Sequence, residues 1–127
     1  MTIEELKEKM PWIEASEWRQ HPNGGGWKHK TAQVPDSVKV PSGATIGHYA
    51  KIGHYATIGD SATIGDYAKI GYSATIGDYA KIGYSATIGH SATIGDCAKI
   101  GDSATIFLYI QGSMHSITPC VPSREVQ

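Results

Sequence analysis

The sequence predicts an all-β fold, a parallel β-helix with a short helical cap at its N-terminus. Three observations carry this. First, a six-residue unit recurs without insertion from about residue 31 to residue 109. Second, stepping by six from Ile46 meets only Val34, Val40 and then Ile at every position to Ile106, about thirteen units in all. Third, the residue two before each of these anchors is Ala, or Val38 in one unit, and Gly follows every anchor from Ile46 to Ile100. Residues two apart on a strand share a face, so the anchor and its Ala point inward and the Thr or Lys between them points outward. Gly opens a bend that two further corner residues complete. A strand with so narrow an apolar face is unstable alone. Stacked copies, ~4.8 Å apart, bury a continuous thin core.

Composition bounds the rest. At 127 residues with a formal net charge of -1, the chain reads as one domain, with no basic surface for nucleic acid. No apolar run approaches the ~20 residues that span a bilayer. The charged N-terminus (Glu4, Glu5, Lys7, Glu8, Lys9) lacks the apolar core of a signal peptide. Cys97 and Cys120 read as free thiols, and the protein as cytoplasmic, with neither a nucleic-acid nor a membrane partner.

In chain order, residues 1–30 form a helical cap and Gly-rich leader, 31–109 the repeat, and 110–127 a closing segment and tail. Thr2 and Glu5 have capping-box spacing, and Ile3, Leu6 and Met10 recur at helical spacing, which predicts a helix over residues 2–10. Pro11 ends it. Trp12 to Gln20 is expected to form a second helix, stopped by His21-Pro22-Asn23-Gly24-Gly25-Gly26. The first two repeat units are degenerate, with Pro35 and Pro41 in place of Gly, as terminal repeats often are. Past Ile106 the pattern breaks. The apolar run Phe107-Leu108-Tyr109-Ile110 is expected to close the upper end and cover its strand edges.

The unit Ile64-Gly65-Asp66-Tyr67-Ala68-Lys69 resembles the hexapeptide-repeat family. The resemblance covers Ala32 to Tyr109. It implies left-handed winding with three units per triangular coil, hence a little over four coils. The leader from His21 to Trp27, with Thr31-Ala32-Gln33-Val34 after it, also resembles small prophage-type members. Three units per coil stack positions 18 apart. The corners then sort into three columns: Ser42, Asp60, Asp78, Asp96; Asp36, His54, Tyr72, His90, Leu108; and His48, Asp66, Tyr84, Asp102.

Relatives in the family include trimeric acyltransferases, which use a histidine base between subunits and an acyl-CoA donor. By that resemblance His54 and His90 are the catalytic candidates, with His48 behind them, and acetyl-CoA or another acyl-CoA is the implied cofactor. The uninterrupted repeat lacks the inserted loop with which such enzymes commonly build a cleft. Gamma-class carbonic anhydrases share the fold and hold zinc with three histidines across a trimer interface. Here Gly95 stands where one ligand belongs, and His54 and His90 lie two coils apart, ~10 Å, too far to share one ion. No metal site is therefore expected. A single Thr per strand, as in Thr57-Ile58-Gly59, departs from the double ranks of β-helical ice binders. The remaining reading is structural. Tyr49, Tyr55, Tyr67 and Tyr79 near the corners are suited to an interface, because tyrosine buries area and keeps a polar tip. The function expected is a non-catalytic assembly protein without a cofactor, a homo-oligomer that forms a trimer or an end-to-end stack. The alternative is a trimeric acyltransferase.

Overall fold

A computed structural model describes residues 2–107 and 109–110. Its body is a parallel β-solenoid. Each six-residue unit contributes a two-residue strand and a bend, so β3 (Thr45–Ile46), β4 (Lys51–Ile52) and β5 (Thr57–Ile58) complete one coil. The next coil repeats them as β6 (Thr63–Ile64), β7 (Lys69–Ile70) and β8 (Thr75–Ile76). Strands pair in parallel with the strand three places on, in a constant register of 18 residues: Thr45 with Thr63, Lys51 with Lys69, Thr57 with Thr75. The same register continues through β9 (Lys81–Ile82), β10 (Thr87–Ile88), β11 (Thr93–Ile94), β12 (Lys99–Ile100) and β13 (Thr105–Ile106). Three flat faces result. Face A is built on β3, β6, β9 and β12, face B on β4, β7, β10 and β13, and face C on β5, β8 and β11.

The interior is as the repeat requires. The inward Ile and Ala positions from Ala44 to Ile100 are all buried and form one cluster running up the axis. The residues between them are exposed or half-buried, with one exception. Thr45 is 2 % exposed, because the N-terminal segment crosses face A over it.

That segment departs from expectation in a specific way. The first helix is present as α1 (Ile3–Lys9), with both halves of the Thr2–Glu5 capping box made. The second is not a helix. Ala15–Glu17 makes a single 3-10 turn, and the chain then extends as β1 (Trp18–Gln20). The stretch from His21 to Gly26 is a hairpin turn rather than a stop, closed by the His21 N–H to the Gly26 carbonyl at 2.7 Å. It returns the chain as β2 (Trp27–His29), antiparallel to β1 and parallel to β3. The hairpin thereby extends face A by two strands. Pairing with a ready sheet edge satisfies the backbone of Trp18 to Gln20 better than an isolated short helix does. Leu6, Ile13, Trp18 and Trp27 bury one another in a second, smaller cluster.

At the other end, Tyr109–Ile110 forms β14 and pairs with β11 as one more rung. Phe107 is 71 % exposed, and the rest of the expected closing run, Leu108 and the side chains of Tyr109 and Ile110, falls outside the described residues. The tail from residue 111 also lies outside them. Cys97 also differs from expectation. It is engaged in a disulfide and is not a free thiol. The reading of Cys120 lies outside the described residues.

Candidate functional site

The corners explain what most polar side chains do. At each corner the first residue's N–H points up the axis. At five of these corners the side chain of the corner residue one coil later accepts it, an aspartate in four cases and His90 in the fifth. Asp78 Oδ1 takes the Asp60 N–H at 2.8 Å, Asp96 that of Asp78 at 2.9 Å, Asp102 that of Tyr84 at 2.9 Å, and Asp66 that of His48 at 2.9 Å. The second corner residue sits in the left-handed region, with φ between 58° and 66° at ten non-glycine positions from Tyr49 to Ser103. That conformation is costly for L-residues. Its N–H is turned down the axis onto the preceding coil, as in Tyr67 to the His48 carbonyl and Ser91 to the Tyr72 carbonyl, both 2.8 Å. The hydrogen bond offsets part of the strain.

His90, one of the two catalytic candidates, belongs to this ladder. Its Nδ1 accepts the Tyr72 N–H at 2.9 Å. In the neutral ring the proton then sits on Nε2. His90 therefore occupies an aspartate's place and performs an aspartate's task. His54, two coils below in the same column, is exposed. Both histidines border a groove of about 690 Å³ on face B, with Lys51, Lys69, Tyr72 and Phe107 on its walls. The structure thus brings the two candidates to one groove but not to one reacting atom. They are ~10 Å apart by coil spacing.

The tyrosines divide among the corners. Tyr49 stacks on Tyr67 (5.3 Å), and Tyr67 meets Tyr84 edge-on (5.6 Å), at the corner between faces A and B. Tyr55 meets Tyr72 (5.3 Å), and Tyr72 meets His90 (6.2 Å), at the corner between faces B and C. Tyr79 stands at the third corner, where the first positions are Asp60, Asp78 and Asp96. All these tyrosines are exposed, from 40 % to 71 %.

A second cluster was not legible in the sequence. Glu17, from the 3-10 turn, His29, from β2, and His48, at the first corner after β3, converge beside Trp18. His29 is 3 % exposed. Its Nε2 lies 3.1 Å from Glu17 Oε1, and its Nδ1 lies 2.7 Å from Thr31 Oγ1. The hydrogen bond to His29 holds the Glu17 carboxyl below its ordinary range, and Lys30 at 3.8 Å adds to this. The His29 and His48 rings stack with centroids 3.7 Å apart, and His48 Nδ1 lies 3.2 Å from Asp66 Oδ1. Glu17 and His29 fall outside the repeat and are 12 residues apart. No periodic spacing links them, and the hairpin that brings them together was itself read as a helix.

The model for bacterial transferase hexapeptide (six repeats) matches residues 43–78, 55–90 and 73–107, about half of the chain. The protein belongs to the hexapeptide-repeat family. No curated protein matches the chain. The family match falls wholly within the solenoid, so Glu17 and His29 lie outside it. No helix among the described residues is long and apolar enough to cross a membrane.

Proposed function

We propose that this hexapeptide-repeat protein is a non-catalytic assembly scaffold, a stiff solenoid that associates with copies of itself around face B. The observation that carries this is the placement of the aromatic spines. Tyr49, Tyr67 and Tyr84 line one border of face B, and Tyr55 and Tyr72 line the other. A triangular prism with both borders adhesive closes on itself. Three copies with face B inward set one border of each against the other border of the next, and a heterologous contact with a 120° rotation gives a closed ring. Tyrosine is enriched in such contacts because it buries area at low entropic cost. End-to-end stacking is the weaker arrangement, since the β1–β2 hairpin already occupies the lower edge of face A.

Sedimentation and negative-stain microscopy test this. The expected result is a trimer that Tyr55→Ser with Tyr72→Ser converts to a folded monomer. A monomer at every concentration sinks the proposal, and fibres in place of particles would replace the ring with an open array. The cytoplasmic location belongs to the same reading. The disulfide at Cys97 bears against it, because disulfides persist mainly in oxidising compartments.

The face B groove supports a second reading, that of a trimeric acyltransferase taking an acyl-CoA with His54 as base. Lys51 and Lys69 beside it suit an anionic donor. His90 suits the role less well. Its Nδ1 lone pair is engaged, and a base needs a free one. Calorimetry with acetyl-CoA on the trimer separates the two readings: saturable binding favours the enzyme, and none favours the scaffold.

A further inference from the structure

We infer that Glu17, His29 and His48 form a site for a divalent transition metal of the zinc class, which clamps the N-terminal hairpin to the first coil. One ligand atom from each of the three residues lies within 4.8 Å of the others. The three come from three separate elements, so an ion there adds a side-chain tie between segments already joined by backbone pairing of β1 with β2 and of β2 with β3.

The hydrogen bonds around the histidines aim them. The Thr31 N–H points at His29 Nδ1 from 3.2 Å, and the Thr31 hydroxyl lies 2.7 Å from the same nitrogen. Thr31 Oγ1 itself accepts the Tyr49 N–H at 2.9 Å, so its own hydrogen is free to be donated to His29. His29 Nδ1 is thus an acceptor, and the ring proton sits on Nε2, facing the Glu17 carboxylate at 3.1 Å. When a metal ion takes its place between the same two atoms, the ring proton moves to Nδ1 and is donated to Thr31 Oγ1 at 2.7 Å, and the Thr31 N–H gives up its contact with that nitrogen. His48 is oriented through its other nitrogen: Asp66 holds Nδ1, which leaves the Nε2 lone pair as the ligand. A histidine whose second nitrogen is held by a carboxylate or hydroxyl is the usual arrangement around protein-bound zinc. Two imidazoles and one carboxylate suit zinc, cobalt or nickel, and do not suit magnesium or calcium, which take oxygen ligands.

One movement is required. The rings now stack 3.7 Å apart with 23° between their planes, while a shared ion must lie near both ring planes, ~2.1 Å from each nitrogen. His29 is buried and held at both nitrogens. His48 is 39 % exposed and has one side-chain partner, so it is the ring that turns. His48 also borders a pocket of about 270 Å³ lined by Met10, Trp12, Trp18 and Thr45, which gives it room. The Thr45 hydroxyl in that wall is buried without a partner, leaving one polar group available to a water on the ion.

The test uses the full chain stripped with a chelator, then titrated with cobalt(II) followed by absorption and with zinc(II) followed by calorimetry. The expected result is one equivalent per chain with micromolar affinity or better, a tetrahedral cobalt spectrum, and a rise in Tm on loading. Glu17→Gln and His48→Ala, both at half-exposed positions that leave the fold intact, each weaken binding at least tenfold. His90→Ala leaves it unchanged. Absence of binding in the wild-type chain, or affinity unaltered by Glu17→Gln and His48→Ala, overturns the inference.

Discussion

If His90 is a corner cap, replacing it by alanine removes the acceptor of the Tyr72 N–H and nothing in the core. The bond is on the surface, where water competes for the freed N–H. A side-chain-to-backbone bond of this kind contributes about 0.5–1.5 kcal/mol. Unfolding entropy is ~2.1 cal/mol/K per residue. Over 127 residues that makes 1 kcal/mol worth about 4 °C, so His90→Ala should lower Tm by about 2–6 °C. His90→Asp is the informative partner. Asp78, Asp96 and Asp102 make the same contact from equivalent positions, so aspartate should restore or exceed wild-type stability. Thermal melts by circular dichroism measure both. The reasoning fails if His90→Ala melts no lower than wild type, or if His90→Asp melts as low as His90→Ala. A base in an enzyme gives the opposite pattern in an activity assay, where aspartate is no substitute for imidazole at neutral pH.

Three further predictions follow from the packing. A Cβ on Gly71 would lie 2.7 Å from the backbone of Gly89 and His90, whereas one on Gly101 would meet nothing within 4 Å among the described residues. Gly71→Ala should therefore cost about 1–3 kcal/mol, and Gly101→Ala should stay within about 0.5 kcal/mol of wild type; denaturant titration of the pair checks the contrast. Ile76, 1 % exposed in the middle of the core, should lose about 2–5 kcal/mol on truncation to alanine, read by the same titration. Thr45→Val removes a buried hydroxyl that has no partner and keeps the shape, so it should stabilise the chain by about 1 kcal/mol; a drop in Tm instead would show that the hydroxyl is bonded in solution.

The solenoid was legible because its signal is periodic. The anchor Ile and its Ala partner repeat at a fixed spacing, and each repeat independently implies the same inward face. The register of 18 residues then follows from three strands per coil, and it holds from Thr45 to Ile106. The N-terminal segment failed for the complementary reason. Trp12 to Gln20 has no sheet of its own, so local propensity favoured a helix. Trp18–Gln20 becomes a strand by pairing with Trp27–His29, which in turn is seated on the edge of face A at residues 45–46. The candidate histidines were placed in their column correctly, but their roles were not visible there. That His90 caps a backbone N–H depends on a side-chain rotamer and a neighbouring coil, neither of which the sequence states. The Glu17–His29–His48 cluster depends on the hairpin, so misreading the hairpin hid the cluster as well.

The corner ladder also bears on where function lies. Folding alone favours an acceptor at each first corner position, since the residue one coil below offers its N–H there. The column Asp60, Asp78, Asp96 obeys this, and Asp78 and Asp96 each make the bond. The other two columns do not obey it throughout. Tyr72 stands where an acceptor would serve His54, and Tyr84 where one would serve Asp66. Each substitution forgoes a bond worth about 0.5–1.5 kcal/mol. Each also places a ring in contact with the tyrosines of the same corner, Tyr72 with Tyr55 and Tyr84 with Tyr67. The ring contacts return some of that stability, but they leave aromatic surface facing solvent that a fold on its own does not need. Both departures occur at the two corners that border face B, and neither occurs at the third. Stability is given up in just the two places where the assembly proposed above needs adhesive surface, which argues that face B is the side of this solenoid that meets something else.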